Sequence, residues 1–235
     1  MKKDKLIAWA VHYFTATGAL CALYALVEIA SGKPKAALLW LMASQIIDGV
    51  DGQLARRYKV AKHTPVIDGN ALDLIIDFTT CALVPVLFAL KFQLFPDSLE
   101  MILSSAIIIT SVIWFSRRDI ETKDFWFRGF PTAWNLVVSV LWILRLKQPY
   151  NVAITVLFII LTMTPQVKFH HIMRSPQYRK YTIIMFTLLI VDTTAMILRK
   201  PIRHNAIAIG FIFLWLIYST WLTIWRSLQP DEVID

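Results

Sequence analysis

Asp48-Gly49-Val50-Asp51-Gly52-Gln53-Leu54-Ala55-Arg56, then twelve residues, then Gly69-Asn70-Ala71-Leu72-Asp73-Leu74-Ile75-Ile76-Asp77: here an otherwise apolar chain carries four aspartates inside two segments that read as membrane-embedded. A carboxylate at the centre of a bilayer helix costs roughly 2.5–3.5 kcal/mol on insertion scales. Arg56 is one cation against four acids. Hard divalent ions would complete the balance, because carboxylate oxygen is the donor that Mg²⁺ and Mn²⁺ prefer. At about 100° per residue, Asp48, Asp51 and Ala55 share one stripe of a helix, and Gly69, Asp73 and Asp77 share a stripe on the next. Two facing helices would aim all four carboxylates into one cleft. Gly52 and Gly69 each cost about 1 kcal/mol in a helix relative to alanine. Close approach of a ligand accounts for them, and so does tight packing of small residues against a partner helix. Packing does not account for four acids.

Working outward, 57% of the 235 residues are hydrophobic, 17% are charged, and the mean hydropathy is +0.58, which excludes an ordinary soluble domain. Apolar stretches of roughly 20 residues, enough to span a bilayer, fall near 7–30, 36–56, 70–91, 99–116, 131–146, 150–167, 181–198 and 205–225. The expectation is an all-α integral membrane protein of about eight transmembrane helices, with residues 1–235 as one transmembrane domain. No secretory signal with a small-residue cleavage site precedes the first stretch, and Lys2, Lys3 and Lys5 read as a cytoplasmic anchor. With both ends inside, sixteen of the 24 Lys and Arg fall on the cytoplasmic side, in the direction of the positive-inside rule. The cluster Arg199, Lys200 and Arg203 runs against the rule, since it places three of the other eight cations together outside. The net charge of +8 fits loops resting on anionic membrane lipids; no nucleic-acid motif accompanies it. Cys21 and Cys81 lie within apolar stretches and read as small buried hydrophobes. The tail from Gln229 to Asp235 reads as a short polar end.

The acid motif resembles the signature of the CDP-alcohol phosphotransferase family, Asp-x-x-Asp-Gly-x-x-Ala-Arg followed by Gly-xxx-Asp-xxx-Asp. Asp48, Asp51, Gly52, Ala55, Arg56, Gly69, Asp73 and Asp77 fill every fixed position. The usual gap of eight or nine residues is twelve here (Arg57 to Asp68), which is similar to the bacterial phosphatidylcholine synthase branch. The resemblance implies a six-helix family core plus extra helices, in a bacterial inner (cytoplasmic) membrane with the site facing the cytoplasm. It implies Asp48, Asp51, Asp73 and Asp77 as ligands of Mn²⁺ or Mg²⁺, and Asp77 as the general base. It also implies a CDP pocket lined by Gly52, Ala55 and Gly69, and a homodimer. Arg56 is the additional cation for a diphosphate, although a flanking interfacial arginine would look the same.

A second stretch, Phe125-Trp126-Phe127-Arg128-Gly129-Phe130-Pro131-Thr132-Ala133-Trp134-Asn135, also looks like that branch. Pro131 suits the first turn of a helix, with Trp134 and Asn135 facing inward as substrate-binding residues. A quaternary ammonium donates no ordinary hydrogen bond, so aromatic faces are its partners; Trp114, Phe115, Trp126 and Trp134 are the candidates. An aromatic belt at the membrane interface is the bland alternative for each. In Pro165–Arg174, His170 and His171 point apart on a helix, while Lys168 and Arg174 suit either a headgroup phosphate or simple anchoring. The expected activity is transfer of the phosphatidyl group of CDP-diacylglycerol to choline with release of CMP. The alternatives are another acceptor (serine, inositol, glycerol phosphate, or diacylglycerol with the roles reversed) and a membrane cation transporter, which would not need Gly-x-x-Ala-Arg.

Overall fold

The computed structural model describes residues 2–199 and 206–230. Lys200, Arg203 and the last five residues of the expected polar tail lie outside them. Helix α1 (Lys2–Ala30) and α2 (Pro34–Arg57) form an antiparallel hairpin. Gly32, at φ +68°, occupies the left-handed position past the end of α1. Around it Gly32 N–H bonds Ile29 C=O and Lys33 N–H bonds Glu28 C=O, so the helix end is closed. Pro34 then opens α2, where a missing N–H matters least. Ala22, Ala25 and Ala37 are buried in this hairpin, and their small side chains let the two backbones approach.

The twelve-residue gap is a structural element. After α2 comes a single turn, α3 (Val60–His63), which lies on α1: Val60 packs with Ala8 and Val11. Thr64 hydroxyl is 2.9 Å from His12 Nε2 and donates to Val60 C=O. Asp68 then caps α4 (Gly69–Asp77), accepting from the N–H groups of Asn70 and Ala71. The helix continues through a π-helical stretch, Phe78–Leu83, into α5 (Val84–Lys91). Pro85 offers no N–H to the carbonyl four residues back, and the ladder just upstream takes the wider spacing.

Helix α6 (Asp97–Ser116) leads to a long connection containing β1 (Trp126–Arg128). Helices α7 (Trp134–Leu144) and α8 (Gln148–Thr162) follow, then β2 (Lys168–His170), α9 (Arg179–Leu198) and α10 (Ala206–Ser227). The strands pair antiparallel, Trp126 opposite His170 and Phe127 opposite Phe169. This ribbon was outside the all-helical expectation. Gly129 ends it at φ +87°, where a Cβ would stand 2.6 Å from Thr162 C=O; its own N–H bonds Val167 C=O. No other residue fits so close to the end of α8.

All eight expected apolar stretches carry helix, yet among the described residues five helices are long and apolar enough to cross a membrane: Lys2–Ala30, Gly69–Lys91, Asp97–Ser116, Arg179–Leu198 and Ile209–Ser227. Helix α2 has the length, but its charges lower its hydropathy. Helices α7 and α8, of 11 and 15 residues, reach about 16 and 22 Å against a core of about 30 Å. Residues 131–133 remain outside α7, with Thr132 at φ +50°, so Pro131 precedes the helix instead of occupying its first turn.

Candidate active site

Helices α2 and α4 bring Asp48, Asp73 and Asp77 together, each offering a carboxylate oxygen within 4.8 Å of the others. They line a cavity of about 1120 Å³ that also takes in Gly52, Ala55, Arg56 and Gly69. Three half-buried carboxylates this close repel one another unless a cation joins them. The donor set is all hard oxygen, which fits a Mg²⁺- or Mn²⁺-sized ion.

Asp51, the fourth acid, lines the same cavity and is 5% exposed, but lies outside that trio. Thr15 on α1 and Arg56 both lie within electrostatic reach of it. The guanidinium of Arg56 folds back along its own helix, where a Cβ at Gly52 would meet its Nη1 at 3.2 Å. Gly52 therefore makes room for Arg56 as much as for a ligand. A Cβ at Gly69 would meet only the His12 ring, at 3.7 Å, so its open face is the cavity.

Asp48 has a supporting chain that spacing did not reveal. Gln45 Nε2 donates to Asp48 Oδ2 (3.0 Å), and Asn135 Nδ2 donates to Gln45 Oε1 (2.9 Å). Asn135 is fully buried and its Oδ1 accepts from Leu136 N–H. Such partners fix the orientation of a ligating carboxylate. Asn135 thus reaches the site through Gln45 and does not line the cavity itself.

Trp134 does not line the cavity either. It is 1% exposed, with its ring against Phe130 and Phe158 in the core. The first residue of α7 faces the bundle interior, and the interior here is apolar packing. Trp126 is likewise fully buried, its Nε1 donating to Gln177. Trp114 and Phe115, at the end of α6, do line the cavity, together with Phe127, Glu121, His171 and Arg174. Those last four were not singled out as a group. Glu121 and Arg174 meet across 53 residues of sequence, Nη1 to Oε2 at 2.8 Å, and no local pattern carries that pairing.

His170 and His171 point apart, as expected, though from a strand end and not a helix. His170 packs against Trp126 and Trp215, and His171 stacks on Phe127. Burial pushes both imidazoles down to about 4, and Arg174 and Arg56 add to the effect on His171; both rings are neutral at physiological pH. Glu121 is pushed up by burial, with Arg174 and Arg56 opposing. Lys168 is 6% exposed and its Nζ donates to Gln229 C=O, so it ties the ribbon to the end of α10 and does not face the cavity.

Residues 10–167 match the CDP-alcohol phosphatidyltransferase family. A phosphatidylcholine synthase of Pseudomonas aeruginosa is 34% identical over 96% of this chain and 94% of its own length. One from Borreliella burgdorferi is 34% identical over 95% of this chain and 99% of its own. One from Mesorhizobium japonicum is 32% identical over 77% and 67%.

Proposed function

The chain belongs to the CDP-alcohol phosphatidyltransferase family, and we propose that it is a phosphatidylcholine synthase, transferring the phosphatidyl group of CDP-diacylglycerol to choline. The choline oxygen attacks the phosphorus that bears diacylglycerol. The bond from that phosphorus to the bridging oxygen breaks, CMP leaves, and the hydroxyl proton passes to a carboxylate. Asp77 is the base in this reading. It is the last acid of the motif, and it lines the same cavity as Trp114 and Phe115 at the end of α6. The trio of Asp48, Asp73 and Asp77 within 4.8 Å is the single observation that carries the reading.

Asp48, Asp73 and Asp77, with Asp51 beside them, would hold Mg²⁺ or Mn²⁺, which when bound supplies charge stabilisation on the diphosphate oxygens. Arg56 adds a fixed cation for the diphosphate. Gly69 leaves the helix surface open for cytidine and ribose, and Gly52 and Ala55 line the same cavity, Gly52 beside the Arg56 guanidinium. Gln45 and Asn135 hold the Asp48 carboxylate in one orientation.

We place the protein in the bacterial inner membrane as a single multi-pass domain, with the cavity opening to the cytoplasm. The excess of Lys and Arg on that side supports the orientation. In this topology α2 and the short pair α7 and α8 complete eight insertions. A homodimer belongs to the same proposal and rests on family membership. The deciding assay uses purified protein, CDP-diacylglycerol and a panel of alcohols with Mg²⁺ or Mn²⁺. Choline is expected to be the preferred acceptor, with CMP and phosphatidylcholine released in equal amounts. Preference for serine, inositol or glycerol phosphate would overturn the acceptor assignment.

A further inference from the structure

We infer that Glu121, together with the cavity faces of Phe127, Phe115 and Trp114, forms the subsite for the acceptor's quaternary ammonium; the inference rests on the choline-transfer reading above. Choline has two ends with different needs. Its hydroxyl must reach a base, while its trimethylammonium needs a counter-charge and apolar or aromatic surface, because it donates no ordinary hydrogen bond. Among the described residues lining the cavity, the carboxylates are the four motif aspartates, the helix cap Asp68, and Glu121. Asp68 is already accepting from two backbone N–H groups. Glu121 is the acid that stands among aromatic rings.

Arg174 fixes that carboxylate, and Arg56 also lies within electrostatic reach of it. Arg174 Nη1 reaches both its oxygens, at 2.8 and 3.2 Å, and the guanidinium in turn lies 4.1 Å from the Phe125 ring centroid. A single nitrogen shared between two oxygens leaves lone pairs on each free to face the cavity. His171 Nε2 stands 3.8 Å from Glu121, while its Nδ1 accepts from Met173 N–H. The ring is therefore neutral with its proton on Nε2, and adds no cation to repel an ammonium. His171 also backs Phe127 in a near-parallel stack, 4.9 Å between centroids at 16°. Trp114 meets Phe127 edge-on at 5.6 Å, and its indole is locked by Nε1 donating to Arg128 C=O at 3.0 Å. Phe115 lines the same cavity as Asp77 and stands edge-on to Trp114, 5.2 Å between centroids. The polar and cationic ends of one small acceptor thus have separate places in one cavity.

The test compares choline with 3,3-dimethylbutan-1-ol, its uncharged carbon isostere, as acceptors for the purified full-length enzyme. The readout is the ratio of kcat/KM for choline to that for the isostere, which does not depend on the fraction of protein that is folded. Glu121→Gln should lower the ratio about tenfold by removing the counter-charge while keeping the shape. Phe127→Leu should lower it about twofold to fivefold by removing one aromatic face. KM for CDP-diacylglycerol should be unchanged in both. If wild type prefers choline to other alcohols and neither variant moves the ratio, the subsite is overturned while the function stands. If wild type does not use choline, the function itself fails, and the subsite with it.

Discussion

Two walls of one cavity are built in opposite ways. The acid wall comes from α2 and α4, neighbours in sequence, and its members repeat at three- and four-residue spacing. The aromatic wall draws Trp114 and Phe115 from the end of α6, Phe127 from β1, and His171 and Arg174 from the chain just after β2. Strand pairing of Trp126 with His170 brings those pieces together. In the proposed function the first wall performs chemistry that any acceptor would need, and the second has the chemistry to choose among acceptors. If that division holds, damage to the acid wall should stop turnover with every alcohol, and damage to the aromatic wall should change which alcohol is used.

The largest effect tests the acid wall directly. Asp77→Asn should remove turnover by at least about a thousandfold with choline and with its neutral isostere, while binding of CDP-diacylglycerol survives. Asp48→Asn should instead weaken the divalent ion and the nucleotide. Robust turnover by Asp77→Asn would end its role as base. Reversible silencing by chelator belongs to the same wall. Mg²⁺ or Mn²⁺ should restore activity and Ca²⁺ should do so poorly, since calcium favours longer bonds and more ligands. Full activity in excess chelator would remove the metal from the mechanism.

An intermediate effect separates support from contact. Asn135→Ala or Gln45→Leu releases Asp48 from its orienting chain and should cost about 10- to 100-fold in activity or metal affinity. The divalent ion needed for half-maximal rate should rise, with choline KM unmoved. A rise in choline KM alone would return Asn135 to the substrate.

Trp134 sharpens the boundary of the second wall. Because its ring fills the core between Phe130 and Phe158, Trp134→Ala should lower stability by about 3–5 kcal/mol. The folded fraction should keep its choline KM within about twofold, measured beside a thermal unfolding curve. A selective loss of choline saturation would place this indole in the acceptor site after all.

The smallest effect concerns the histidines of the ribbon. Held down to about 4 when folded, His170 and His171 bind fewer protons than the unfolded chain below its ordinary pKa of 6.5. Their contribution to stability is therefore complete above about 6.5 and is lost as pH falls toward 4, against an opposite contribution from the raised Glu121. The difference in unfolding temperature between wild type and His171→Gln, followed in detergent across that range, should show the His171 part of the slope.

The acid motif was legible because a helix converts sequence spacing into angle. Asp73 and Asp77 differ by about 40° and both reach the trio. Asp48 and Asp51 differ by about 60° in the opposite sense, which is enough for one acid of the stripe to join the trio and take Gln45 as partner while the other stays outside it. Gly129 was legible as part of a motif, but its reason, a carbonyl 2.6 Å from where a Cβ would be, lies on another helix. Trp134 faces inward as expected but into packing, because periodicity separates inside from outside. It does not separate a packed interior from a hollow one.

The sequence by itself determined a helical membrane protein, the pair of helices that bear the acids, and the kind of ion those acids suit. Those properties depend on composition, hydropathy and periodicity, all of which are local. Tertiary structure alone decided which stretches form helices long enough to cross a bilayer, which acids gather into one trio, and that Gln45 and Asn135 stand behind Asp48. It also decided that Glu121 meets Arg174 beside a wall of rings. Each of those depends on distances between residues far apart in the chain, set by how helices and a two-stranded ribbon pack, and packing leaves no periodic trace in the residues it joins.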